Sequence, residues 1–287
     1  MMAIWKRELK SYFLTPMGYI YMGFFLLVAG VFFTFGNLLT RSSQYTGFLG
    51  GILFIYLFAV PLLTMRLFSE EKRQRTDQLL LTSPVSIPEI VLGKFLAAFT
   101  VYLITLAITV IYAIVVGVFG DLAFWETLGS YIGFIFLGAS YISVGVLVSA
   151  GTENQLTSAL VSFFSLLLIW LLDPISNSLP VEMVAGVIFA ALLAIAIGAY
   201  IFLNTKNMYL AIGVVLIGAI IITVTYFVDK AVFIGFMRKF FAWFSLNKRY
   251  ENFSMGLLKL DHLVYYLSFT GLFLFLTVRL IEKQRWV

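Results

Sequence analysis

Apolar residues run along the chain in stretches of about twenty, the length a helix needs to cross the hydrocarbon of a bilayer. Eight stretches qualify: 17–37, 48–68, 91–118, 130–150, 156–173, 184–203, 208–228 and 263–281. Backbone groups in lipid must bond within their own segment, so each stretch is expected to be a helix. The fifth is short, and Asp173-Pro174 marks its expected end. Two further segments are amphipathic and too charged to span. In residues 1–15, Ile4, Trp5, Leu9, Tyr12 and Phe13 share one helical face, and Lys6, Arg7 and Lys10 fall off it. That pattern predicts a helix lying in the membrane surface, with Trp5 and Tyr12 at headgroup level, ended by Thr15-Pro16. In 229–262, Phe233, Met237, Phe240 and Phe244 recur at helical spacing, with Arg238 and Lys239 off the stripe. This segment reads as an interfacial or re-entrant cap, with Asp261 as N-cap of the last helix. The expected fold is all-α: a polytopic transmembrane bundle of about eight spans, with an N-terminal interfacial helix and an amphipathic cap before the last span.

Composition strengthens this reading. Of 287 residues, 62% are hydrophobic and 11% charged, against about 25% charged in a soluble domain. The net charge of +5 belongs to a cytoplasmic rim rather than to nucleic-acid binding. With the N-terminus inside, the cytoplasmic basic residues are Lys6, Arg7, Lys10, Arg66, Lys72, Arg73, Arg75, Lys94, Lys206, Arg279, Lys283 and Arg285, which puts both termini in the cytoplasm. Arg41 and a cluster in 229–262 fall outside. The first span carries no small-residue cleavage site and is expected to stay in the protein. The chain has no cysteine, which excludes disulfides, thiol catalysis and Cys-ligated metals.

Candidate chemistry is sparse. Gly93-Lys94 lacks the upstream glycine and following Ser/Thr of a phosphate-binding loop, so Lys94 reads as a lysine snorkelling from a helix start. The single histidine, His262, reads as a surface or interface residue, since a metal would need several convergent ligands. No catalytic site and no cofactor is expected on this chain. Every span centre lacks Asp, Glu, Lys and Arg; Glu126, Glu153, Asp173, Glu182 and Asp229 sit near span ends. Ion-coupled pumps place ionisable groups inside the membrane. Their absence counts against a secondary transporter or channel and against an intramembrane enzyme, and any uphill movement would draw energy from another chain. A non-transporting scaffold is a further alternative.

The loop 66–93 carries most information. Glu71 and Arg75 stand at i, i+4 with favourable polarity. Leu79, Leu80 and Leu81 follow, Ser83-Pro84 interrupts, and Ser86-x-x-Glu89 is a capping box opening the third span. A charged helical finger and a plain solvated loop both fit this pattern. Polar stripes run along the fifth span (Gln155, Ser158, Ser162, Ser165) and the third (Tyr102, Thr105, Thr109, Tyr112), where helix packing explains them better than a path. Gly129/Gly133, Ala139/Ser143 and Gly145/Ser149 in the fourth span predict close helix contact.

Three stretches together resemble the ABC-2 type permease family of ATP-binding cassette transporters, in the branch of the gliding-motility-associated and nitrous-oxide-reductase-maturation permeases. They are Trp5-Lys6-Arg7-Glu8-Leu9-Lys10-Ser11-Tyr12-Phe13 with Thr15-Pro16-Met17-Gly18-Tyr19; Phe68-Ser69-Glu70-Glu71-Lys72-Arg73-Gln74-Arg75-Thr76 running to Leu81-Thr82-Ser83-Pro84-Val85; and Tyr250-Glu251-Asn252-Phe253 through Gly256-Leu257 and Asp261 to Arg279 and Glu282-Lys283-Gln284-Arg285-Trp286. The resemblance implies a connecting helix over 1–15 and a permease domain over 16–287, with a coupling loop at 66–93 and an outer amphipathic segment at 229–262. It implies an exporter subunit in the plasma membrane, without nucleotide-binding motifs of its own. A cytoplasmic ABC ATPase dimer would bind ATP and Mg, and a second permease copy or related permease would meet this one along a central path near the second and fifth spans. Coupling would fall to Glu70, Glu71, Lys72, Arg73, Arg75 and Asp77. The stripe Gln155, Ser158, Ser162, Ser165 becomes the candidate translocation path. Many members have six spans; the pair 184–203 and 208–228 is additional here.

Overall fold

The computed structural model describes residues 1–76 and 85–285, which are helical with no strand among them. Helix α1 (Met2–Leu14) buries Ile4 and Tyr12. It stops at Thr15, held extended (φ −98°, ψ 156°) because the ring of Pro16 disfavours helical geometry in the residue before it. The chain re-enters as α2 (Pro16–Phe33), whose last turns widen into a π-helix over Thr34–Leu38. The second span is broken: α3 (Tyr45–Gly51), a 3₁₀ turn at Leu53–Ile55, then α4 (Tyr56–Thr64) with Pro61 inside. The break follows Gly50-Gly51, where backbone freedom is greatest. A short helix, α5 (Ser69–Arg73), carries the charged finger.

Helix α6 (Ile87–Phe119) opens on the expected Ser86/Glu89 capping box, with Pro88 in its first turn. Its 33 residues rise about 50 Å, more than the ~30 Å hydrocarbon core. Then come α7 (Phe124–Gly151), α8 (Gln155–Ser178), α9 (Met183–Thr205), α10 (Met208–Val228), α11 (Phe236–Phe244), α12 (Leu246–Ser254) and α13 (Leu260–Arg285). Eight segments are long and apolar enough to span a membrane, so the expected all-α polytopic bundle is observed.

Two local expectations are corrected and a third is detailed. The fifth span does not end at Asp173-Pro174; α8 continues through Pro174 to Ser178. Asp261 lies inside the first turn of α13 rather than capping it. The stretch 229–262 is a 3₁₀ turn (Lys230–Phe233) followed by α11 and α12 and the start of α13.

The chain forms two compact units: Met1–Trp170 with Leu246–Val287, and Leu171–Ser245. The first is organised on α7, whose apolar window is 72% buried and which packs on α4, α6, α12 and α13. Small residues permit this. A Cβ on Gly133 would lie 2.7 Å from Phe253, one on Gly138 2.5 Å from Tyr102, and one on Gly145 2.2 Å from Thr64 Oγ1. Hydroxyls fill the same interfaces. The Tyr56 and Tyr102 hydroxyls lie 2.8 Å from each other and within donating distance of the Phe134 carbonyl (2.9 and 2.7 Å), three contacts that their two protons share. Tyr45 reaches the Thr109 carbonyl (3.0 Å) and the Tyr131 hydroxyl (2.7 Å). The stripe on the third span therefore does helix-packing work, as its spacing suggested.

The second unit is a hairpin of α9 and α10 joined at Asn207, whose side chain caps α10 through Tyr209 N–H and Leu210 N–H. Gly198 faces Val215 and Gly218 faces Ala194 across it, the small-residue crossing expected in a membrane. The 3₁₀ turn lies on Gly186, and Phe189 packs against Phe236, Phe240 and Phe241. In α9 and α10 only 11% and 6% of the apolar windows are buried, so nearly their whole circumference is left for lipid or another chain.

Gly145→Ala should destabilise the protein by about 1–3 kcal/mol, the cost of overpacking a closed contact. Gly23→Ala, which meets nothing within 4 Å, should leave thermal unfolding in detergent unchanged.

Candidate functional site

The charged finger is anchored before it is displayed. Arg66, one turn upstream, forks onto Glu70 through two hydrogen bonds of 2.7 Å, a bidentate pair that fixes the entry to α5. The amides of Phe68 and Ser69 donate to Ser149 Oγ near the end of α7 (3.1 and 3.4 Å). Lys72 donates to the Ala150 carbonyl and to Gln284 Oε1 (2.6 Å), tying α5 to the ends of α7 and α13. The ends of two helices, α7 and α13, thus converge on the finger.

At the centre stands Lys94, on the second turn of α6 and 1% exposed. Its ammonium meets Glu71 at 3.0 Å and Glu8 at 3.2 Å, donates to the Leu67 carbonyl at 2.5 Å, and lies 5.1 Å from the centre of the Phe68 ring. Arg7 closes the circuit, with Glu8 at 2.6 Å and Glu71 at 2.9 Å. The result is a ring of alternating charge: Arg7, Glu8, Lys94, Glu71. Burial alone would lower the Arg7 pKa, but Glu8 and Glu71 beside it hold it above its ordinary value.

This corrects the reading of Lys94. It does not snorkel; it is enclosed, and an enclosed ammonium is stable only when paired and hydrogen-bonded. Glu71, expected to pair with Arg75, pairs with Arg7 and Lys94. Arg75 ends the finger in left-handed backbone (φ 55°) and, like Arg73, is exposed. Asp77 lies outside the described residues, as do Leu79–Leu81 and Ser83-Pro84.

Helix α1 is likewise bound to protein rather than only to the membrane surface. Trp5 Nε1–H donates to Thr100 Oγ1 (3.0 Å) and Tyr12 OH to the Leu63 carbonyl (2.6 Å), so neither ring sits free at headgroup level. Gly93 and Gly18 let α1 approach: a Cβ on Gly93 would lie 2.9 Å from Ile4, and one on Gly18 2.5 Å from the Tyr12 carbonyl. Sequence reasoning missed Arg7, Glu8 and Lys94 as a set. The available signal was a lysine flanked by glycine inside an otherwise apolar helix.

The stripe on α8 is sorted by depth. Ser158 and Ser162 are buried, and Gln155 and Ser165 half-buried. Among the described residues neither buried hydroxyl has a hydrogen-bond partner, whereas buried helical hydroxyls commonly satisfy themselves on the preceding turn, as Thr64, Thr105 and Thr277 do here. His262 is also enclosed, with Arg249 against Nδ1 (3.3 Å) and Asn252 against Nε2 (3.0 Å).

A multi-pass helical membrane protein, with a charged finger clamped by an ionic ring around the buried Lys94, defines the class. Residues 37–172 match the model of a family described as ABC-2 family transporter protein, and over that segment the chain is similar to the membrane permease components of ABC transporters, subunits that work with an ABC ATPase. The match covers α3 to α8 with the finger between them, and it ends where the Leu171–Ser245 unit begins. No curated protein matches the chain.

Lys94→Met should lower stability by up to about 3 kcal/mol, the lower end for a broken buried pair, because Glu8 and Glu71 keep some contact with water. Arg66→Met removes a more exposed pair and should cost about 1 kcal/mol or less. Thermal unfolding of the two variants in detergent measures the difference.

Proposed function

We propose that this permease is the export subunit of an ATP-driven transporter in the plasma membrane, with both termini cytoplasmic, and that α5 is where it takes up force. A dimer of cytoplasmic ABC ATPase subunits docks on the finger, and a second permease copy or a related permease completes the pathway. The ionic ring carries this reading. Glu71 on α5 is held by Arg7 on α1 and by Lys94 on α6, so a push on the finger displaces three elements together. Continuous over 33 residues, α6 passes the movement to the far side of the membrane.

Within the finger the six proposed coupling residues divide. Glu70, Glu71 and Lys72 hold the finger in place through Arg66, Arg7, Lys94 and the ends of α7 and α13. Arg73 and Arg75 are exposed and face the ATPase in this proposal, with Asp77 next along the chain. Ser158 and Ser162, with Gln155 and Ser165 at the margins, line the proposed path. Their uncharged hydroxyls would be satisfied by the substrate or by the facing permease.

Co-expression with the partner ATPase, and purification through a tag on this chain alone, tests the assignment. Arg73→Glu with Arg75→Glu should cut the co-purifying ATPase about tenfold, a loss of ~1.4 kcal/mol. Glu71→Gln should keep the ATPase bound but lower its turnover, because the finger no longer grips α1 and α6. Undiminished ATPase on the double charge reversal would end the coupling reading.

A further inference from the structure

At the end of α2 and α6 remote from the ionic ring lies a cleft of about 340 Å³. Its lining is divided by chemistry. Leu38, Val115, Val116 and Phe119 make an apolar wall that continues onto surface open to lipid: Phe119 is 87% exposed and neighbouring Val118 70%. Arg41, Ser42, Ser43 and Asn37 form the other side, just past the point where the first span ends.

Two polar groups there are uncommitted. Arg41 makes no ion pair among the described residues, although Asp121 follows directly on the cleft wall. It is also fixed in left-handed backbone (φ 53°), a conformation few non-glycine residues adopt. Asn37 is 4% exposed. Its Nδ2 is spent on the carbonyls of Ser42 (2.9 Å) and Gln44 (3.4 Å), while its Oδ1 has no donor. A buried acceptor left without a donor costs free energy. The cleft thus offers a cation for an anion, an acceptor for a donor, and an apolar wall for a chain.

We propose that this cleft is a binding site for one phospholipid whose headgroup combines a phosphate with a hydrogen-bond donor, either a hydroxyl or an ammonium. Arg41 and the two serines receive the phosphate, Asn37 Oδ1 accepts from the headgroup donor, and an acyl chain lies along Val115, Val116 and Phe119. The site lies in the leaflet remote from α5 and does not depend on the coupling reading. A free inorganic anion would satisfy Arg41 but leave the apolar wall and Asn37 Oδ1 unused.

The test is native mass spectrometry of the full chain in detergent, titrated with phosphatidylglycerol, with phosphatidylcholine, and with phosphatidylglycerol in the presence of inorganic phosphate. Arg41→Asn keeps a residue that tolerates left-handed backbone and should weaken phosphatidylglycerol binding about tenfold, the loss of one charge-assisted hydrogen bond. Arg41→Lys should restore most of it. Lys206→Asn is the matched control, another cation in left-handed backbone (φ 55°) that does not line the cleft, and should bind as the unaltered chain does. Phosphatidylcholine should bind more weakly than phosphatidylglycerol throughout. Equal binding by Arg41→Asn and the unaltered chain would overturn the proposal. So would an equal loss in Lys206→Asn, which would mean diffuse charge attraction, or displacement of the lipid by inorganic phosphate, which would mean a free-anion site.

Discussion

An ammonium group shut away from water has to find opposite charge, and in this protein that requirement organises the end of the molecule where ATP-driven force is proposed to enter. Lys94 is supplied with two carboxylates from two different elements, Glu8 on α1 and Glu71 on α5, and Arg7 balances them. Removing any one member leaves a net charge in a poorly solvated place. The ring is therefore more informative about rigidity than about stability. Ion pairs of this kind can be roughly neutral in folding free energy, yet they specify one arrangement of α1, α5 and α6.

A second constraint acts along the spans. Apolar packing between helices gains little in lipid, because the tails are as apolar as the side chains; association rests on close approach and interhelical hydrogen bonds. Helix α7 shows both. Its glycines admit Phe253, Tyr102 and Thr64, and its Phe134 carbonyl takes two tyrosine hydroxyls. The buried serines of α8 depart from this economy, since Ser158 and Ser162 are enclosed without partners. The α6 stripe follows it, with hydrogen bonds from Tyr102, Thr105 and Thr109 to the protein around them.

The division of the chain follows its family likeness. The segment 37–172 matches the ABC-2 model, and it ends one residue past Leu171, the first residue of the Leu171–Ser245 unit. That unit holds the two spans, 184–203 and 208–228, that exceed the six of many family members. Its helices bury little of themselves and are joined by glycine contacts within the hairpin.

Length and hydropathy alone determined the eight spans, because a helix in lipid satisfies its own backbone whatever surrounds it. Local chemistry determined the Ser86/Glu89 cap, the Pro16 break and the close contacts of Gly133 and Gly145, since each depends on neighbours in sequence or on the missing Cβ. The tertiary structure alone decided the fate of charge. A lysine between apolar residues has the same pattern whether it snorkels or is enclosed. Glu8 and Glu71 lie 86 and 23 positions from Lys94, so no periodicity links them. Tyr12, Trp5 and Glu71 likewise took partners that local spacing did not indicate. Where a polar group goes is settled by what the other helices bring to it, and that is a property of the packed protein.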